Sequence, residues 1–419
     1  MGSTLVEKIL AKASGKQVVC PGEIVQAEID LAMMHDTTGP QAVAALMEIG
    51  APGVWDKDKV MVILDHLVPA PHSNAAQLQK TMRDFAQREQ ITNYYDINAG
   101  VCHQVLVEKG HVQPGQIIVG TDSHTCTAGA MGALAMGIGS TEMAAVLATG
   151  KLWFRVPTTI KVEVTGELPQ AVSAKDLILH IIGRLGVGGA NYKAVEFTGS
   201  TISKLSVGER MTLCNMVIEM GGKAGMVAAD SVTLQYLAER GITQVSAVIP
   251  DEDANYESVL KIEAAELRPV IAHPFSVDYV LPVDDAEKIK INQALLGTCT
   301  NGRLSDLQEA AAIIRGKRIH SGVRLLVVPA SWEVYRAAML DGTLDVFIQA
   351  GAVIVNPGCG PCCGGHEGLI APGEVCISTS NRNFVGRMGK DGKVYLASPA
   401  VVAASALTGE ITDPRELLV

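Results

Sequence analysis

Cys359 and Cys362 stand as C-G-P-C inside the loop sequence NPGCGPCCGG, and Cys299 stands in LLGTCTNGR, where an apolar run ends. Proline and glycine free the first of these loops to wrap around a bound group. Three chemistries suit such thiols. A redox pair uses Cys359 and Cys362, leaves Cys299 idle and wants the pair at the opening of a helix. A structural zinc closes a tetrahedral set with Cys299, Cys359, Cys362 and His366. An iron–sulfur cluster takes the three cysteines and leaves one iron open. Cys363 reads as a small buried residue in a tight loop, because adjacent cysteines do not easily bind one small cluster. Cys20, Cys102, Cys126, Cys214 and Cys376 lie in or beside apolar runs and read as core residues.

A second set of groups is acid–base in character: Asp65 and His66 in LDHLVP, His103 in AGVCHQ, and Asp122 and His124 in GTDSHT. An aspartate beside a histidine fixes the imidazole tautomer and raises its basicity. The alternative is that each histidine merely caps a turn, a weaker account when such tips recur within one stretch of chain. Arg382 and Arg387, in SNRNFVGR, are five residues apart. That spacing points them in different directions on a helix, so convergence needs a loop, which Gly386 permits. Paired guanidiniums suit bidentate carboxylate recognition, against the alternative of two surface charges. Glu219, in LCNMVIEMGG, precedes a Gly-Gly break in an apolar helical pattern and is either a ligand or proton carrier, or an ordinary helix-end carboxylate.

The elements that must position these groups are apolar strands ending in polar tips. KVMVILDHLV (59–68) and GQIIVGTDSH (115–124) read as buried strands whose carboxyl ends carry the histidines, the usual ligand position in α/β sheets. GALAMGIGSTEMAAVLATGKLW (132–153) reads as a Gly-rich turn feeding a helix capped by Ser140, and its glycines lack the spacing of a dinucleotide site. TTIKVEVTGELP (158–169) opens a second unit as an alternating strand, and the prolines and acidic end of IAHPFSVDYVLPVDD close it. The third unit repeats the strand-then-tip habit in INQALLGTCTNGR, VRLLVVPAS, GAVIVNPGCGPCCGG and EVCISTSNRNF. The expected fold class is α/β, three α/β/α domains around a central cleft, divided as 1–157, 158–285 and 286–419. No strict short-period repeat is present.

Composition bounds the function. At 419 residues, 48% hydrophobic and 4% aromatic, the chain is too long for one core and too apolar for disorder. Thirty-four Lys and Arg against 44 Asp and Glu leave a net charge of −10, which gives a nucleic-acid surface no support. Nine cysteines in so long a chain do not resemble a secreted disulfide framework, and a reducing, cytoplasmic setting is expected. The opening residues read as an amphipathic helix without a secretory apolar core, and no apolar run is long enough for a membrane span.

Taken in order, TTGPQA around Gln41, LDHL, CHQ, GTDSHT, TLCNMVIEMGG, GTCTNGR, GCGPC and SNRNFVGR resemble the aconitase superfamily across essentially the whole chain. The match is to its branch of 3-isopropylmalate dehydratase (isopropylmalate isomerase) large subunits. The resemblance implies a [4Fe–4S] cluster on Cys299, Cys359 and Cys362, with the fourth iron lacking a protein ligand. It implies Gln41, His66, His103 and His124 around substrate and hydroxyl, Asp65 and Asp122 paired with histidines, Glu219 near the cluster, and Arg382 and Arg387 on substrate carboxylates. It also implies a hydro-lyase acting on a branched 2-hydroxy dicarboxylate, 2-isopropylmalate to 3-isopropylmalate through isopropylmaleate, in leucine biosynthesis. Single-chain aconitases carry a further C-terminal swivel domain with a substrate-binding arginine and the serine base. This chain is expected to lack it and to act only with a small subunit that supplies it, in a heterodimer or heterotetramer. A homoaconitase or a dimethylmalate-type dehydratase large subunit is the alternative within this chemistry. A cluster-free RNA-binding or zinc protein is the alternative outside it.

Overall fold

A computed structural model describes residues 2–418; Met1 and Val419, the outermost residues of the expected first and third units, lie outside the described residues. Three sheets carry the chain. The first has five parallel strands in the order Asn93–Tyr95, Val60–Ile63, Leu31–His35, Ile117–Gly120, Leu134–Gly137. The second has four parallel strands, Ala224–Val227, Ala194–Thr198, Thr159–Thr165 and Ser258–Glu263. The third has seven, with parallel Lys393–Ala397, Val375–Ser378, Gln293–Gly297, Arg324–Val328 and Val353–Ile354 extended by two short antiparallel strands. A separate antiparallel ribbon joins Ile24–Glu28 to Lys151–Arg155.

The inner strands of the first and third sheets are short and wholly or nearly wholly buried, such as LAMMH, VMVI, IIVG and QALLG, whereas the edge strands Asn93–Tyr95, Val280–Pro282 and Val353–Ile354 are half-buried or exposed. Such continuous apolar runs are what a parallel sheet covered on both faces requires. The alternating strand at 159–165 is present, and its solvent-facing residues are Lys161, Glu163 and Thr165.

The structure differs from the sequence reading in four places. The strands Val270–Ala272 and Val280–Pro282, placed before the expected boundary at 285, pair with Lys393–Ala397 in the third sheet. Hydrogen bonding, not the proline-rich look of the segment, decides its membership. LAMG at 134–137 is a strand rather than part of a turn. Gly139 caps the following helix Ser140–Thr149, with Glu142 reaching back to the cap nitrogen at 2.9 Å, so Ser140 is its first residue. Cys20 is exposed, whereas Cys102, Cys126, Cys214 and Cys376 are buried.

Two close approaches require glycine, one between sheets and one within a sheet. A Cβ at Gly129 would collide with the carbonyl oxygen of Gly225, so the turn after the first sheet's fourth strand closes onto the second sheet only as glycine. Gly297, at φ 135°, ends strand Gln293–Gly297 of the third sheet, where a Cβ would strike Val328 on the neighbouring strand. Thr298 follows in the left-handed region at φ 69°, a strain of order 1 kcal/mol placed one residue before Cys299. No helix among the described residues is long and apolar enough to cross a membrane.

Candidate active site

The carboxyl ends of the first and third sheets open on one cavity of about 330 Å³. Its lining includes His66, His103, Asp122, His124, Cys299, Cys359, Cys362, Arg382 and Arg387. Strand Val60–Ile63 delivers Asp65 and His66, and strand Ile117–Gly120 delivers Asp122. Helix Cys102–Glu108 carries His103, and the 3₁₀ turn Ser123–Met131 carries His124.

Carboxylates join these histidines into one network. Asp122 Oδ1 lies 2.7 Å from His103 Nε2 and accepts the His124 backbone N–H at 2.7 Å, and Oδ2 stands 3.4 Å from His66 Nε2. Asp65, fully buried, bonds His66 Nδ1 at 2.7 Å and accepts the Cys102 N–H at 2.7 Å. Glu219 sits behind the cavity wall on the 3₁₀ turn Met216–Met220. Its Oε1 receives both His124 Nε2 and Arg382 Nε at 2.8 Å. Arg382 also donates to Ser123 Oγ at 3.1 Å.

The charge states follow from these contacts. Burial pushes the His66 imidazole down, but Asp65 and Asp122 outweigh it and hold the imidazolium well above the ordinary histidine range. Burial likewise opposes ionisation of Asp122, yet His103, His124 and His66 hold it well below the ordinary carboxylate range. His124 is raised against its burial by Asp122 and Glu219. His66 thus carries a proton secured on one side by Asp65, with its Nε2 toward the cavity.

His35 and Asp36 belong to this site and were missed from the sequence. The His35 ring stacks on His66 with centroids 3.9 Å apart, and its pKa falls to about 4 through burial and the neighbouring His66 charge. Asp36 accepts the backbone N–H groups of Asp65, His66 and Leu67 at 3.2, 2.9 and 3.0 Å, and so shapes the tip that presents His66. The signal was present in AMMHDTTG, a His-Asp pair after an apolar run. Thr38 from the same tip lines the cavity and bonds His35 Nε2 at 2.9 Å. Gln41, expected at the substrate, lies one turn further along helix Gly39–Ile49, exposed and outside the cavity lining, where Ser140 Oγ reaches its Oε1 at 3.5 Å. Thr38, the residue that precedes the helix, takes the cavity-lining position.

On the opposite wall, N–H donors converge on sulfur. Cys299 Sγ faces the side-chain amides of Asn381 at 3.3 Å and Asn215 at 3.5 Å, and Arg387 Nη2 stands 3.8 Å from Cys362 Sγ. Hydrogen bonding from Cys359 holds the Cys362 thiol well below its ordinary value, with Arg387 adding to the effect. Arg387 Nε is buried without a partner among the described residues. Burial pushes the Cys299 thiol up to about 11, and the donors around it suit a sulfur that carries charge once it binds a group. Cys299, Cys359 and Cys362 line the cavity and fit an iron–sulfur cluster. Cys363, expected to be buried, is half-buried and lines the cavity as well. His366 is turned away: its Nε2 donates to the Pro69 carbonyl at 2.9 Å, so the zinc set drawn from the sequence does not assemble around it. Asn215 and Asn381 were not singled out in the sequence, because an isolated asparagine gives no sign of what it faces.

The profile of the aconitase family (aconitate hydratase) matches residues 7–409. The 3-isopropylmalate dehydratase large subunit 1 of Methanopyrus kandleri is 55% identical over the whole of both chains. The probable methanogen homoaconitase large subunit of Methanothermobacter thermautotrophicus is 50% identical over 98% of this chain and 97% of its own. Heliobacterium modesticaldum has a 3-isopropylmalate dehydratase large subunit 47% identical over the whole of both chains. Among solved structures, the crystal structure of Thermococcus kodakaraensis aconitase X in its holo form aligns at TM-score 0.49 and 13% identity, over 90% of this chain and 89% of that one. With the profile spanning nearly all of the sequence and identity at or near one half along its full length, the chain belongs to the aconitase family.

Proposed function

We propose that the chain is the large subunit of an iron–sulfur hydro-lyase that converts 2-isopropylmalate to 3-isopropylmalate through isopropylmaleate, in the cytoplasm, for leucine biosynthesis. One observation carries this reading: a single cavity joins an imidazolium secured by two carboxylates, the cysteines Cys299, Cys359 and Cys362 with N–H donors on two of them, and two arginines. Cys299, Cys359 and Cys362 would hold a [4Fe–4S] cluster, which when bound supplies a Lewis acid for the substrate hydroxyl and its neighbouring carboxylate. The rest is done by side chains. Arg382 and Arg387 bind the substrate carboxylates, and Glu219 fixes the Arg382 guanidinium while pairing with His124. His66 delivers its Nε2 proton to the departing hydroxyl, and Asp65 and Asp122 set how readily it does so. His103 and His124 orient the hydroxyl side through Asp122. Gln41 contributes from the rim. The base that takes the carbon-bound proton is proposed on a small subunit that closes the cavity.

The homoaconitase reading stays beside this one because a relative with that name is 50% identical over nearly the whole chain. The test is to assay anaerobically reconstituted chain, with and without a small subunit, on 2-isopropylmalate and on homocitrate. Turnover of 2-isopropylmalate that needs the small subunit supports the proposal. Turnover of homocitrate alone moves the chain to the second reading, and high activity without any partner overturns the two-subunit account.

A further inference from the structure

Lys175 is the second residue of helix Ala174–Leu185, which crosses over between two strands of the second sheet. Its side chain is 0% exposed, and it forms no ion pair among the described residues. Asp176 beside it is committed elsewhere, to the Val270 N–H at 3.1 Å and the Ser173 N–H at 2.9 Å. A buried ammonium without a carboxylate is costly, and a lysine in the first turn of a helix also opposes the helix dipole. Neither the core nor the helix accounts for it.

What Lys175 does meet is backbone. Nζ donates to the carbonyl oxygens of Thr379 at 2.7 Å and Ser380 at 2.6 Å. These two residues lie between strand Val375–Ser378 and the pair Asn381 and Arg382. Thr379 Oγ1 also accepts the Gly297 N–H at 2.8 Å and donates to the Gly297 carbonyl at 3.1 Å, which ties the same segment to the loop of Cys299. Asn381 Nδ2 then faces Cys299 Sγ at 3.3 Å, and Arg382 bridges Glu219 and Ser123. The ammonium therefore grips the backbone directly before the two side chains that reach the cavity.

We propose that Lys175 is a positioning residue: from the second sheet it clamps the Thr379 and Ser380 carbonyls and so aims Arg382 at a substrate carboxylate. The inference rests on the reading of Arg382 as a carboxylate ligand. Burial pushes the lysine down to about 7, and the two carbonyl oxygens at 2.7 and 2.6 Å favour its charged, gripping form.

The test uses the reconstituted complex with its small subunit and the variants Lys175→Met, Lys175→Gln, Arg382→Lys and the double variant Lys175→Met with Arg382→Lys. The readouts are the calorimetric Kd for isopropylsuccinate, a dicarboxylate without the hydroxyl, together with iron and sulfide per chain. Lys175→Met should weaken binding about 10- to 100-fold, as a misplacement on the ångström scale does, with iron and sulfide unchanged. Lys175→Gln, which keeps an N–H donor, should recover most of the loss. The double variant should bind no more weakly than Arg382→Lys alone, the non-additivity expected when one residue acts through the other. If Lys175→Met does not fold, Lys175→Ala, which likewise removes the donor, takes its place in the same cycle. Binding by Lys175→Met within about twofold of wild type, or strictly additive losses, overturns the clamp while leaving Arg382 as a ligand. Wild-type binding by Arg382→Lys overturns the reading of Arg382 and the clamp with it.

Discussion

On the cavity wall built from the first sheet, Asp122 and Asp65 stand 2.7 Å from the ring nitrogens of His103 and His66, and Asp36 accepts three backbone N–H groups. On the wall built from the third sheet, the amides of Asn381 and Asn215 and the guanidinium of Arg387 approach sulfur at 3.3, 3.5 and 3.8 Å, and Arg387 Nε has no partner among the described residues. The first wall is a network in which carboxylates hold the imidazole protons, with His103 Nδ1 left unpartnered among the described residues. The second is a set of donors directed at sulfur, with capacity to stabilise more negative charge than the thiols alone provide. Acid–base chemistry is thus preorganised by the chain, whereas the electrophile is something the chain is shaped to receive.

Breaking the first wall at its hub should have the largest effect. Asp122 serves His66, His103 and His124 together, so Asp122→Asn should lower kcat by about 10³- to 10⁴-fold while iron and sulfide stay at wild-type levels. A loss of iron in that variant would show that the two walls are not separable. The next effect falls between the walls. Arg382→Lys keeps the charge but not the planar fork that spans Glu219 and Ser123, and KM should rise about 10-fold or more, with kcat changing less. A change in kcat alone would make Arg382 part of the acid–base wall instead.

On the sulfur wall, Asn381→Ala removes the donor at 3.3 Å from Cys299 while leaving every cysteine, and iron loss to a chelator should quicken about 10-fold. Unchanged iron release would mean that the amides serve packing only. The smallest effect is on stability. His35 has a folded pKa of about 4 against an ordinary 6.5, so the folded state binds fewer protons, and stability falls as pH drops from about 6.5 to about 4. His66 is raised, so its contribution is full below the ordinary value and is lost only as pH rises through its folded pKa. Urea midpoints of His35→Gln should therefore fall less steeply than wild type between pH 6.5 and 4, and parallel curves would contradict the buried, neutral His35.

Much of the acid–base wall was legible in the sequence because its residues follow buried apolar strands directly, as in VMVILDH and IIVGTDSH. The three cysteines were legible for the same reason, together with the Gly and Pro of their loops. What escaped was carried by tertiary contact. Nothing local marks Asn215 and Asn381 as donors to one sulfur, since they lie 166 residues apart and meet only when the sheets close. Lys175 looks like a helix-surface lysine until the strand end that it grips is in place. The pairing of Val270–Ala272 was not legible because turn composition does not report strand pairing, and this strand completes a sheet whose other strands come later in the chain. Gln41 stands one helical turn from Thr38, which lines the cavity, and a sequence motif does not show which of the two the fold places there.

The most direct test of the sulfur wall is iron and acid-labile sulfide per chain, with the visible spectrum, after anaerobic reconstitution of wild type and of Cys299→Ser, Cys359→Ser, Cys362→Ser and Cys363→Ser. About four irons and four sulfides in wild type and in Cys363→Ser, and their loss in the other three, is the predicted result. Zinc in place of iron, no bound metal at all, or a cluster that survives loss of Cys299 would contradict it.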